Sequence, residues 1–109
     1  MLSQVMTNAS ALLDVLAEPT RRRIVERLAE RPAAVTDLAR DLPITRSAVS
    51  QHLQIMKSVG LVTDRAVGTR RIYTVDPGAL EVIRAYFDAF WTRSLAAFRD
   101  AAEQPEDPS

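Results

Sequence analysis

The chain has 109 residues, 47% hydrophobic and 26% charged, which is room for one globular domain and far from a disordered composition. Fourteen basic and fourteen acidic residues cancel, so a uniformly basic nucleic-acid coat is excluded but a basic face is not. Cysteine is absent, which excludes disulfides, thiolate metal sites and a cysteine nucleophile.

The first uncharged run, residues 1–13, is too short and too polar to cross a bilayer. It also lacks the charged start and cleavage site of a secretory signal, so a cytoplasmic protein with no membrane partner is expected. Within it Val5, Ala9, Leu12, Leu13 and Leu16 recur at helical spacing. That helix is predicted to stop near Ala17, because the residue before Pro19 is pushed out of the α region. Pro19 suits the first position of a second helix, with Ile24, Val25 and Leu28 as its buried stripe and Arg31-Pro32 as its end. A short third helix over 35–41 turns Val35, Leu38 and Leu42 inward, and Pro43-Ile44 makes a brief turn.

Thr45 is a good N-cap for a fourth helix running to about Ser58, and Gly60 stands where a C-terminal cap belongs. Residues 61–65 and 70–75 read as strands joined by Val67-Gly68-Thr69. Asp76-Pro77 opens a long last helix to about Ala101. The tail 103–109 is acidic, broken by proline and expected to be disordered, leaving 1–102 as the domain. The fold class is therefore mainly α with a two-stranded β-hairpin wing, α-α-α-α-β-β-α, the plan of a winged helix-turn-helix.

The cancelled charge is segregated. Residues 20–75 hold eleven basic against five acidic side chains, while both ends are net acidic. Such a middle suits a polyanion, although thirteen of the fourteen cations are arginine and a solvated arginine-rich surface would count the same. The fourth helix distinguishes itself, being the one predicted helix without a carboxylate. At 100° per residue from Ser50, Arg46, Ser47, Gln51, Gln54, Lys57 and Ser58 fall within roughly −40° to +100°. The opposite arc holds Ala48, Val49, His52, Ile55, Met56 and Val59, with Leu53 at its edge. A major-groove helix needs donors and acceptors for base edges and no acid facing phosphate. Arg46 can address guanine and Gln51 or Gln54 adenine, while Ser47 and Ser50 let the backbone near phosphate. His52, the single histidine, falls mid-arc and reads as a packed residue with one ring nitrogen bonded to backbone; alone, it cannot close a zinc site or form a triad.

Several separated stretches, Val35-Thr36-Asp37-Leu38-Ala39, Ser47-Ala48-Val49-Ser50-Gln51-His52-Leu53, Gly60-Leu61-Val62, Gly68-Thr69-Arg70-Arg71 and Tyr73, resemble the ArsR/SmtB family in order and spacing. Glu18-Pro19-Thr20-Arg21-Arg22 resembles that family's entry to its second helix, and the likeness runs from about Ala11 to Phe98. It implies a homodimeric winged-helix repressor. Metal-sensing members flank a valine with two cysteines at the start of the third helix, where this chain has Ala34 and Thr36. Others use histidines and acids on the last helix, which here has no histidine, so the resemblance is to a metal-independent branch with no cofactor. Pro43 replaces a glycine common in the turn, and cannot take its positive φ.

At the hairpin, Arg70 and Arg71 are expected to hold phosphate or the minor groove, a role compatible with guarding a sheet edge; Arg65 is expected to be weakened by Asp64. Arg21, Arg22 and Arg23 sit at a helix N-terminus, where cations oppose the macrodipole, so internal pairing with Asp14, Glu18 or Glu26 is expected, Arg22 to Glu26 in particular. In the last helix Leu80, Ile83, Phe87, Phe90, Trp91 and Phe98 share one stripe, and a helix about 36 Å long outruns so small a core. A second copy is expected to cover the stripe, with Leu12 and Leu13 of the first helix beside it, as in the family's dimer interface.

The expected function is a homodimeric, sequence-specific transcriptional regulator, a repressor at a palindromic promoter operator. Thr45, Arg46, Ser47, Ser50, Gln51, Gln54, Lys57, Arg70 and Arg71 are its candidate contacts to double-stranded DNA. The alternative is a winged-helix module that docks protein. With three glycines, no phosphate loop and no nucleophile motif, no enzyme is expected, and no residue names a small-molecule effector.

Overall fold

The computed structural model describes residues 2–104, with side chains from Asn8 onward; the side chain of Val5 in the first apolar set and tail residues 105–109 lie outside what is described. The elements are α1 (Leu2–Leu16), α2 (Pro19–Glu30), α3 (Val35–Asp41), α4 (Arg46–Ser58), β1 (Val62–Val67), β2 (Arg70–Val75) and α5 (Pro77–Glu103). This is a winged helix-turn-helix. The strands pair antiparallel from Val62 opposite Val75 to Val67 opposite Arg70. β1 begins one residue later and ends two residues later than the sequence suggests. The turn is correspondingly only Gly68-Thr69, with Gly68 at φ 62°, the glycine-first order of a type II′ hairpin.

Local chemistry sets the boundaries of α4 on both sides. The Thr45 hydroxyl accepts from the Ala48 N–H at 3.1 Å. At the far end Gly60, at φ 78°, donates to the Lys57 carbonyl at 3.0 Å and Leu61 to Met56 at 2.9 Å, the two bonds of a Schellman cap. Before α4, the Ile44 N–H donates to the Leu42 carbonyl at 2.8 Å around Pro43. That bond spans two residues and closes an inverse γ-turn, whose central φ of about −75° proline already holds. Proline thus fits where a positive φ would not.

The core joins Leu12 and Val15 of α1, Ile24 and Leu28 of α2, Leu38 of α3, and Val49, Leu53 and Met56 of α4 to Leu61, Val62, Tyr73 and Val75. Leu12, expected at a seam between copies, is 3% exposed in a single chain and belongs to this core. Ala33 exchanges two backbone bonds with Tyr73, so the approach to α3 adds a one-residue third strand to the wing. Arg27, within the basic middle, is buried. Its Nε donates to Asp41 at 3.0 Å and its Nη1 to the Arg31 carbonyl at 3.1 Å, tying the ends of α2 and α3 together.

α5 packs on α1 near its start and then leaves the body. It runs two residues beyond the expected end, taking in Glu103, which the sequence places in the tail. Every residue from Phe87 to Glu103 is exposed, and the molecule measures 72 × 32 × 20 Å. Among the described residues no helix is long and apolar enough to cross a membrane.

Candidate nucleic-acid interface

The turn and α3 hold α4 by its apolar side, so its polar side faces outward. Thr45, Arg46, Ser47, Ser50, Gln51, Gln54 and Lys57 are all exposed. Among the described residues the side chains of Arg46, Ser47, Ser50, Gln51 and Gln54 have no hydrogen-bond or ion-pair partner, leaving a row of free donors and acceptors. Thr45 is already engaged as the cap. Ile55, expected among the apolar arc, is instead 42% exposed and borders the polar row beside Gln51. A helical wheel gives its angle but not how far the neighbouring elements reach.

His52 is half-buried, and its Nδ1 is a buried atom with no hydrogen-bond partner, so the expected bond to backbone is not made. The nearest charge is the Glu18 carboxylate, 4.0 Å away. Glu18 caps α2 by accepting from the Arg21 N–H at 2.9 Å, and that bond leads in holding its carboxyl below the ordinary range. Among the described residues the arginines behind it do not form the expected internal ion pairs. The Arg21 guanidinium donates to the Val15 carbonyl at 2.7 Å, at the negative end of α1, and Arg22 forms no ion pair with Glu26 among the described residues.

The wing differs from α4 because two of its three arginines are held. Arg71 Nη1 lies 3.0 Å from Asp64 Oδ2, and Lys57 Nζ of α4 lies 2.9 Å from Asp64 Oδ1. Arg70 bonds to Asp37, whose carboxylate also accepts from the Ala34 N–H at 3.0 Å. Asp64 therefore pairs with Lys57 and Arg71 and not with Arg65, correcting the expectation that Arg65 is the weakened wing residue. Arg65 is exposed and has no ion-pair partner among the described residues. Lys57 first and Arg71 second hold the Asp64 carboxyl below the usual range. For Asp37 the Ala34 N–H leads, with Arg70 adding to it; for Asp41 the Arg27 hydrogen bond leads.

The apolar stripe of α5 is uncovered. Trp91 is 64% and Phe98 74% exposed, and Leu80, Phe87, Phe90 and Leu95 are also open. Leu95, four residues beyond Trp91 on the same face, extends the stripe past the residues expected from sequence. Ile83 and Leu13 are partly buried, Ile83 against the core. Among the described residues no group of three or more His, Asp or Glu side chains could hold a metal ion.

Residues 18–64, from the cap of α2 into β1, match the family described as bacterial regulatory protein, arsR family. The HTH-type transcriptional regulator Rv2034 of Mycobacterium tuberculosis is 52% identical over 92 residues, 84% of this chain and 86% of that protein. The HTH-type transcriptional repressor SmtB of the same species is 37% identical over 70 residues, 64% of this chain and 52% of that protein. Among solved structures, a possible transcriptional regulator for arsenical resistance superposes with a TM-score of 0.68 at 45% identity, covering 87% of this chain and 97% of that one.

Proposed function

The chain belongs to the ArsR family of DNA-binding transcriptional regulators, and we propose that it works as a cytoplasmic homodimeric repressor on an inverted-repeat operator, without a metal. The observation that carries this reading is the exposed face of α4, free of acid and with Arg46, Ser47, Ser50, Gln51 and Gln54 unpartnered among the described residues. Arg46, Ser47, Ser50, Gln51 and Gln54 read base edges or the adjacent phosphates, and Ile55 offers a thymine methyl an apolar contact. Thr45 shapes the helix entry. Lys57, Arg65, Arg70 and Arg71 address the backbone.

The dimer follows from α5. A 27-residue helix is about 40 Å long, and its last two-thirds carry exposed aromatics in one stripe that water should not be left to cover. A second copy laying the same stripe against it would bury Phe87, Phe90, Trp91, Leu95 and Phe98 from both sides by two-fold symmetry. Leu80, Ile83 and Leu13 would lie at the margin. Two α4 helices related by that axis reach half-sites about one helical turn apart. A dimer seated across a promoter obstructs it, and one relative is named as a repressor.

Metal independence rests on donor chemistry. The Ala34 methyl cannot ligate, Thr36 is one neutral hydroxyl, and α5 has no histidine. The alternative of a protein-docking module gains nothing from relatives named as transcriptional regulators.

Selecting bound fragments from the host genome across a range of salt tests the reading. An inverted repeat with half-sites about one turn apart is expected. Fragments sharing no repeat would contradict it.

A further inference from the structure

The charge distribution around α4 and the wing is uneven in a way that the DNA-binding role alone does not require. Asp64 lies on β1 opposite Tyr73, on the face of the ladder that turns inward, and its side chain is only 7% exposed. Each of its oxygens is taken by a different element. Oδ1 receives Lys57 from the last turn of α4 at 2.9 Å, and Oδ2 receives Arg71 from β2 at 3.0 Å. Arg71 is the diagonal neighbour of Asp64 across the ladder, within reach of a long side chain on the same face. Both distances are those of charge-assisted bonds. The cations themselves stay about half open to solvent, at 47% and 57%, so a phosphate can approach them while the carboxylate remains behind.

An acid placed under two DNA-facing cations lowers affinity for any polyanion. Three charges of +1, +1 and −1 act towards a duplex as one net positive charge, so the cluster releases one counterion where two free cations would release two. What the carboxylate supplies in return is geometry. The chain between α4 and β1 is only Val59, Gly60 and Leu61, and the bridge ties the helix end to the wing a second time, through side chains.

We propose that Asp64 is a positioning residue for DNA recognition: its carboxylate clamps α4 to the wing through Lys57 and Arg71, and withholds one positive charge from non-specific DNA. The clamp favours discrimination over raw affinity. Asp37 does not play the same part, since its carboxylate also caps α3 through the Ala34 N–H. Arg65 has no such partner among the described residues and acts as the wing's plain electrostatic contact.

The inference rests on α4 and the wing being the DNA-reading surface, and the test separates the two. Binding of the full chain to a selected operator and to a random duplex of equal length is measured by fluorescence anisotropy from 50 to about 300 mM salt, for wild type and Asp64→Asn. The carboxamide keeps the shape and removes the charge. Asp64→Asn is expected to bind random DNA roughly eightfold more tightly at 0.1 M salt and to steepen the log–log salt slope by about 0.9, one further phosphate. Its operator-to-random ratio is expected to fall.

A purely structural Asp64 would lose affinity on both duplexes with no steeper slope, and that result overturns the clamp. A wild type that shows no salt-dependent binding overturns the surface itself. Should Asp64→Asn fail to melt cooperatively, Arg71→Gln carries the test, because it cuts one arm and leaves the carboxylate. A clamp then predicts a lower operator-to-random ratio, whereas a simple phosphate contact leaves that ratio unchanged, which also overturns the proposal.

Discussion

The exposed face of α4 and the wing both present polar and cationic groups to solvent, yet those groups start from different states. On α4, Arg46, Ser47, Ser50, Gln51 and Gln54 have no partner among the described residues, which leaves them free for a base edge or phosphate in the proposed complex. On the wing, Arg70 and Arg71 already rest on Asp37 and Asp64, and Arg65 of the three has no carboxylate partner among the described residues. A count of positive residues treats the two regions alike. Free donors and acceptors can distinguish one base from another, whereas cations already paired contribute less than their formal charge.

The largest expected effect comes from removing the proposed seam between two copies. Replacing Phe87 and Trp91 together by glutamate should leave the single-chain core intact, because both side chains are exposed. Sedimentation should then show one chain, and operator affinity should fall on the order of 10²–10⁴-fold as the second half-site is lost. Retention of a dimer would place the seam elsewhere. Within α4, Gln51→Ala should cost about 1–3 kcal/mol on the operator and less on random DNA, read by anisotropy. Equal losses on both would remove Gln51 from base reading.

The wing gives smaller and more uniform changes. Arg65→Ala should flatten the salt slope by about 0.9, one full phosphate, and Arg70→Ala by less, because Asp37 already offsets the charge of Arg70. The reverse order would mean that the Arg70–Asp37 pair opens on DNA. Stability carries the same signature through pH. Glu18, Asp37, Asp41 and Asp64 all have depressed carboxyl pKa values in the fold. Their contribution is complete above the unfolded values, near 4, and is lost as pH falls through the folded ones, because there the unfolded chain binds more protons. The urea midpoint should be lower at pH 3.5 than at pH 7, and a midpoint unchanged between them would contradict these pairings. Smallest of all, Thr45→Ala should cost about 1 kcal/mol of stability, the worth of one N-cap.

What was legible in the sequence was local. Pro19, Thr45, Gly60 and Gly68 act on backbone within a few residues of themselves, and the elements they bound lie close to where those residues place them. The polar row of α4 is equally local, since 100° steps alone separate Gln51 from Leu53. Illegible were the contacts between residues far apart in the chain. Arg70 meets Asp37 across 33 positions and Arg27 meets Asp41 across 14, and no spacing rule reaches so far. Ile55 and Leu12 show the same limit from the other side. Each has a helical angle that suits its expected place, but how deeply it is buried depends on which elements pack beside it. The ends of α5 and β1 fall two residues later than expected because nothing in Ala102 and Glu103, or in Ala66 and Val67, forbids the element from continuing.

The claim on which the rest depends is that an acid-free helix face is presented in two symmetric copies to one duplex. Analytical ultracentrifugation of the full chain, alone and with a selected operator duplex in dilute salt, measures this directly. Two chains without DNA and two chains per duplex are the expected result. A single chain that leaves the duplex sedimenting as it does alone would contradict the account.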